Sequence, residues 1–283
     1  MSFTLCLNST NVVTGSNNTS YRYSFIGGNF RTDDCEICIS QSTIPYAWYN
    51  ISAAYGNNTF SLIFPTGATT QTINVTLSDG YYSVNDVQNI IQQTCITNKF
   101  YLITSTGSYV YPFFLSYSST FYKVQIICAT IPNAADMATL GYTQPAGAPA
   151  LPAATTGVQF VTGTLGTYLG FANATTLPAV ATGVTQNFLS TQTPVGSTVN
   201  SLVFRCSLVD NNISMPSDIM DGCAINTSFG TNIIYDPSFE KWVKMKSGTY
   251  SSLTFSIADQ NFNQIYSVDP NVAITLMIRP KKT

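Results

Sequence analysis

The chain reads as an all-β protein built as an antiparallel sandwich. Three observations predict this: several stretches alternate apolar and polar residues with a period of two, only one stretch carries a helical period, and Gly, Pro, Asn and Ser cluster between the runs. Four alternating stretches are the clearest strands. Ile73, Val75 and Leu77 share a face in TINVTLSDG, and Leu202, Phe204, Cys206 and Leu208 share one in SLVFRCSLV. Leu253, Phe255 and Ile257 do so in LTFSIAD, as do Val272, Ile274, Leu276 and Ile278 in VAITLMIRP. Shorter or more continuous apolar runs at 35–44, 59–64, 100–104, 109–116 and 121–128 predict about five more strands.

One helix is expected, in GYYSVNDVQNIIQQTC. Ser83 stands where a cap belongs with Asp86 three residues on, and Val84, Val87, Ile90, Ile91 and Cys95 recur on one side. From Val124 to Phe204 the only charged residue is Asp136, and the composition shifts to Ala, Thr, Gly and Pro. Two similar pieces lie inside that segment: LGYTQP followed by LPAATTG at 140–157, and LGFANA followed by LPAVATG at 169–183. Two copies fall short of a solenoid. The expected organisation is a main domain of residues 1–131 and 201–283, interrupted by an Ala/Thr/Gly/Pro-rich, loop-rich insertion at 132–200.

Composition narrows function. Charged residues make up 8% of the 283 residues and the formal net charge is -2, against about 25% charged in an average soluble domain. So little charge gives weak protection against self-association, which suits a chain packed against partners. The absence of a broad basic stripe argues against nucleic-acid binding as the main task. The basic clusters are Lys241, Lys244 and Lys246, and the tail Arg279, Lys281 and Lys282. MSFTLCLNST lacks the features of a signal peptide, and seven scattered cysteines do not form a secreted disulfide framework, so synthesis in a cytosol is expected.

The chain contains no histidine. That removes the usual general base, the usual partner of a Ser or Cys nucleophile and the commonest zinc ligand. Cys35 and Cys38 form a C-x-x-C pair in DDCEICIS, but Ile37 and Ile39 alternate beside them, so they read as strand residues and not as a redox or zinc motif. Asp33, Asp34 and Glu36 form the densest acidic group, without EF-hand spacing. No catalytic residue, metal, cofactor or small-molecule substrate is expected, and no enzymatic role.

TIPYAWYNISAAYGNNTF, Thr43 to Phe60, holds five aromatic residues and no charge. It belongs to an ordered set of segments: IPYAWYNIS at 44–52, NTFSLIF at 58–64, INVTLSDGYYSVNDVQNIIQ at 73–92, and LTFSIADQNFNQIYSVDPNVAITLMIRP at 253–280. In that order the segments resemble the penton, or minor capsid, protein of tailless icosahedral double-stranded DNA viruses: virophages, Polinton-like elements and their giant-virus relatives. Asp259 and Ile265 match the spacing of a pair in the family's final strands. The resemblance spans mainly 30–130 and 250–280.

The resemblance implies a single jelly-roll sandwich with one short helix and a long loop-rich insertion. It also implies a homopentamer closing a fivefold vertex, contact with the major capsid protein, and a place in the virion after synthesis in host cytoplasm or a viral factory. Cyclic closure needs a heterologous contact, and Tyr46, Trp48 and Tyr49 are the candidate subunit-interface residues, with plain core packing as the competing reading. Arg279, Lys281 and Lys282 are a candidate inner-face tail, through which any nucleic-acid contact would run. The alternative function is a receptor- or glycan-binding β module such as a fibre head or spike.

Overall fold

The computed structural model describes residues 2–281. By internal contacts they form two compact units, 1–49 with 197–283, and 50–196. The first unit opens with strands β1 (Phe3–Leu7), β2 (Ser20–Ser24) and β3 (Cys35–Pro45). The second holds β4 (Thr59–Thr66), β5 (Thr69–Thr76), helix α1 (Val84–Thr97), β6 (Phe113–Ser118) and β7 (Lys123–Cys128). It continues through α2 (Ala134–Leu140), β8 (Gln159–Val161), β9 (Thr176–Leu177) and β10 (Gln186–Leu189). The chain then returns to the first unit with β11 (Ser201–Cys206), β12 (Ile219–Ala224), β13 (Asn232–Tyr235), β14 (Ser252–Asp259) and β15 (Ala273–Pro280).

In the first unit one sheet runs β1-β15-β3-β13, with Val243–Lys244 also on β3, and the other runs β12-β11-β14-β2. All pairings are antiparallel. Numbered within the unit alone, these strands stand in the order 1-8-3-6 and 5-4-7-2. Each sheet thus draws strands from both halves of the unit, which is the interleaving of an eight-stranded jelly roll. Alternation explains the core: Leu5, Leu7, Ile37, Ile39, Ile274, Leu276 and Ile278 from one sheet meet Tyr21, Leu202, Phe204, Leu253, Phe255 and Ile257 from the other in one buried cluster. Each such side chain contributes about 1.5–3 kcal/mol when fully buried. In β3 the pairing with β15 shifts between Thr275, opposite Gln41, and Leu276, opposite Ile39. The extra residue is Ser40, and it switches the buried set from Ile37 and Ile39 to Ser42 and Ile44.

The second unit has its own core. One sheet runs β9-β8-β4-β5 and the other β10-β7-β6. Phe60, Leu62 and Phe64 of β4, Phe113 and Leu115 of β6, Val124 and Ile126 of β7, and Phe160 of β8 share one buried cluster with Val87, Ile91 and Cys95 of α1. Phe64 stacks on Phe100 with ring centroids 3.7 Å apart. Helix α1 starts with the expected reciprocal cap: Ser83 Oγ accepts from the Asp86 N–H and an Asp86 carboxylate oxygen accepts from the Ser83 N–H.

The compact units do not divide at residue 131, where the sequence suggests a boundary. Strand β8 pairs with β4, and β10 pairs with β7, so segments on either side of residue 131 share both sheets of the second unit. Val158, Phe160, Leu165 and Leu169 are completely buried in its core. The inserted body is therefore 50–196, and the jelly roll is completed by 1–49 and 197–283 without 50–131. The stretch that reads as low-complexity loops supplies strands because short β pieces of three or four residues leave little alternation to detect. Its internal repeat has a local cause: Leu140 and Leu169 each end a helix, and Gly141 and Gly170 cap them in the left-handed conformation, at φ 68° and 80°.

Candidate assembly surfaces

The three aromatic candidates follow β3, where the chain leaves the jelly roll. The Tyr46 N–H donates to Thr231 O, the Gly230 N–H to Tyr46 O, and the Val268 N–H to Ala47 O, all near 3.0 Å. Trp48 bridges to Ser267. Residues 46–48 are thus laced between two loops of the same unit. Tyr46 and Trp48 lie with ring centroids 4.5 Å apart, and Phe229 meets Tyr46 edge-on at 5.7 Å. Tyr46 is 5% exposed and Trp48 2%. Both belong to the jelly-roll core. Tyr49 is half-buried.

The next residue, Asn50, was not singled out as functional by sequence reasoning. Its buried side-chain amide donates to Tyr82 O at 2.8 Å and to Gly196 O at 2.9 Å, and its Oδ1 accepts from the Tyr82 N–H at 2.8 Å. Asn50 and Gly196 are the first and last residues of the second unit, so this amide ties its two ends together. The signal available in the sequence was only an Asn in a charge-free run.

The basic tail divides. Arg279 lies in β15, donates to Glu36 across the sheet at 3.2 Å, and stands 3.8 Å over the Trp242 ring. It is engaged within the unit. Lys281 is exposed, and its backbone N–H donates to Asp34 O at 2.6 Å. Lys282 lies outside the described residues.

The chemistry-bearing groups are dispersed. Cys35 and Cys38 are three apart in a strand and so face opposite ways, and burial, with Glu240 nearby, pushes the Cys38 thiol up to about 11. Such a thiol is a poor nucleophile or metal ligand. Glu36 is paired with Arg279, and Asp33 with Arg31. Among the described residues no group of three or more Cys, Asp or Glu side chains is arranged to hold a metal ion. No described helix is long and apolar enough to cross a membrane.

What the surface offers instead is uncharged contact area. In the jelly roll Ile26, Ile213, Met215 and Phe239 are between 75% and 99% exposed on three separate loops. In the second unit the β6–β7 hairpin tip exposes Phe121 and Tyr122, and Tyr122 has φ 52°, an uncommon conformation for a bulky residue.

Solved structures similar to the chain include these two. One is the mavirus penton protein, at 11% identity over 98% of this chain and 97% of that one, with a TM-score of 0.43. Another comes from the cryo-EM structure of the Sputnik virophage, at 12% identity over 99% of this chain and 98% of that one, with a TM-score of 0.42. No sequence-family model and no curated protein matches the chain.

Proposed function

We propose that the chain is a structural subunit of an icosahedral virus shell, a penton that forms a fivefold ring and contacts the major capsid protein. The observation that carries the reading is the eight-strand jelly-roll order of the first unit, interrupted after its third strand at the IPYAWYNIS segment that resembles the penton family. Sharing a fold does not establish a role. The added support is a surface with little charge and many exposed apolar side chains, and a chain without histidine or a clustered metal-binding group among its described residues. On this reading the protein belongs to the virion, made in host cytoplasm or a viral factory, and has no enzymatic task.

The candidate contact residues divide by burial. Tyr46 and Trp48 position the segment from within, while Tyr49 retains surface to offer a neighbour. Nucleic acid is approached at most by the end of the basic tail, since Arg279 is already paired.

Native mass spectrometry of the purified chain, alone and mixed with a candidate major capsid protein, tests the proposal. Pentamers in either condition are expected, and Tyr49→Ala is expected to weaken them while leaving the fold intact. Discrete trimers, or a monomer indifferent to the capsid protein, would overturn the vertex reading. The exposed aromatic tip at Phe121 and Tyr122 favours one alternative, a receptor- or glycan-binding module, which binding to immobilised glycans would reveal.

A further inference from the structure

Strand β5, TTQTINVT, lies at the outer end of its sheet, after β9, β8 and β4. Its ladder with β4 runs from Thr66 opposite Thr69 to Thr59 opposite Thr76 with no shift in register. The next residue, Leu77, donates its N–H to Asn58 O at 2.8 Å. In an antiparallel ladder the hydrogen-bonded pairs alternate, so Thr69, Gln71, Ile73 and Val75 bond to β4. Thr70, Thr72, Asn74 and Thr76 turn both N–H and C=O to the open edge. Thr69 to Thr72, Asn74 and Thr76 are exposed, and Ile73 and Val75 are half-buried.

Proteins protect long edges with charge, proline, a bulge or a covering element. The same unit covers the edge of β6: the Leu115 N–H donates to Gln88 Oε1 of α1 at 2.6 Å. Strand β5 has none of these devices. Eight residues without Lys, Arg, Asp, Glu or Pro present a straight, uncovered edge.

We propose that this edge is a docking site for a second copy of the chain, which adds its own β5 in antiparallel register. The strand is complementary to itself. With Thr70 opposite Thr76 and Thr72 opposite Asn74 of the other copy, every outward-facing residue meets an outward-facing residue. All the outward N–H and C=O groups between Thr70 and Thr76 then find partners. The same register sets Ile73 against its own copy and Gln71 against Val75, closing the half-buried apolar side chains over one another. No like charges meet. One strand thus supplies both halves of a twofold contact. This contact is separate from the proposed ring, whose subunits meet head to tail.

Cross-linking tests the register. In the full-length chain with Cys6→Ser, which removes the exposed native thiol, Ile73→Cys is expected to form a disulfide-linked dimer under mild oxidation. Facing residues of a non-hydrogen-bonded pair lie about 4.5 Å apart at Cα, within disulfide reach. Gln71→Cys in the same background should remain unlinked, because it faces Val75. Adding Thr72→Lys to Ile73→Cys should abolish the link by placing charge on the edge. Absence of the Ile73→Cys dimer, or equal linking by Gln71→Cys, overturns the proposal. On the unmodified protein, amide exchange at Thr70, Thr72, Asn74 and Thr76 should slow as protein concentration rises. Rapid exchange at every concentration also overturns it. A fivefold ring that persists in Thr72→Lys while the cross-link is lost supports a twofold edge contact distinct from the ring.

Discussion

Trp48 joins Tyr46 against the jelly-roll core, and its burial decides what its removal does. Trp48→Ala is expected to cost about 3–5 kcal/mol, read as a lower denaturation midpoint with an unchanged slope. A variant with unaltered stability but lost association would return Trp48 to an interface role. Asn50→Ala removes three hydrogen bonds, those to the N–H and C=O of half-buried Tyr82 and to the C=O of exposed Gly196, while Tyr82 O keeps its bond from the Tyr168 hydroxyl. Each lost hydrogen bond costs about 0.5–1.5 kcal/mol, read as a lower denaturation midpoint. The cysteines give a pH signature. Burial pushes the thiols of Cys38 and Cys206 up to about 11 and those of Cys95 and Cys128 up to about 12. Their folded values lie above the ordinary thiol value of about 8.5, so the stability they contribute is fully present below that pH and is lost as pH rises towards 11 to 12. A thiol reagent at neutral pH should therefore label exposed Cys6 first, and the denaturation midpoint should fall on the alkaline side.

At the scale of elements, α1 rests on its first turn. Ser83→Ala is expected to destabilise by about 1 kcal/mol. Hydrogen bonds from the Ser83 hydroxyl and N–H hold the Asp86 carboxyl below the usual carboxylate range. That contribution is present above the ordinary value of about 3.9 and is lost as pH falls through the lower folded value. The difference between Ser83→Ala and the parent protein should accordingly narrow in acid, which denaturation at neutral and acid pH would show. This cap was legible because its two residues are three apart and their side chains bond within the same turn. The short strands β8 and β10 were not legible, because their partners β4 and β7 lie far away in sequence. Gly170 shows the same dependence on distant chain: an added Cβ would come within 2.3 Å of Gln192 O, at φ +80°. Gly170→Ala should lower the thermal midpoint by more than Gly28→Ala, where the same backbone strain meets open space.

At the scale of the whole molecule, one continuous body is inserted into another. The bond from Asn50 to Gly196 O brings the ends of the second unit together, the arrangement that tolerates excision of an inserted domain. Replacing 50–196 by a short Gly/Ser linker should leave a soluble jelly roll with a cooperative unfolding transition, and 50–196 expressed alone should fold with α1 helicity. Circular dichroism and thermal melts of each piece would check this, and an unfolded jelly-roll piece would show that the sandwich depends on its insert.

By itself the sequence determined the all-β class, the long strands, the one capped helix and the poverty in charge, since period, capping and composition act between near neighbours. Only the tertiary structure decided that residues 132–196 complete the sheets begun by 50–131, that Tyr46 and Trp48 face inward, and that β5 is left bare. Those outcomes depend on which distant strands pair and which edges another element covers, and no local pattern of residues encodes either.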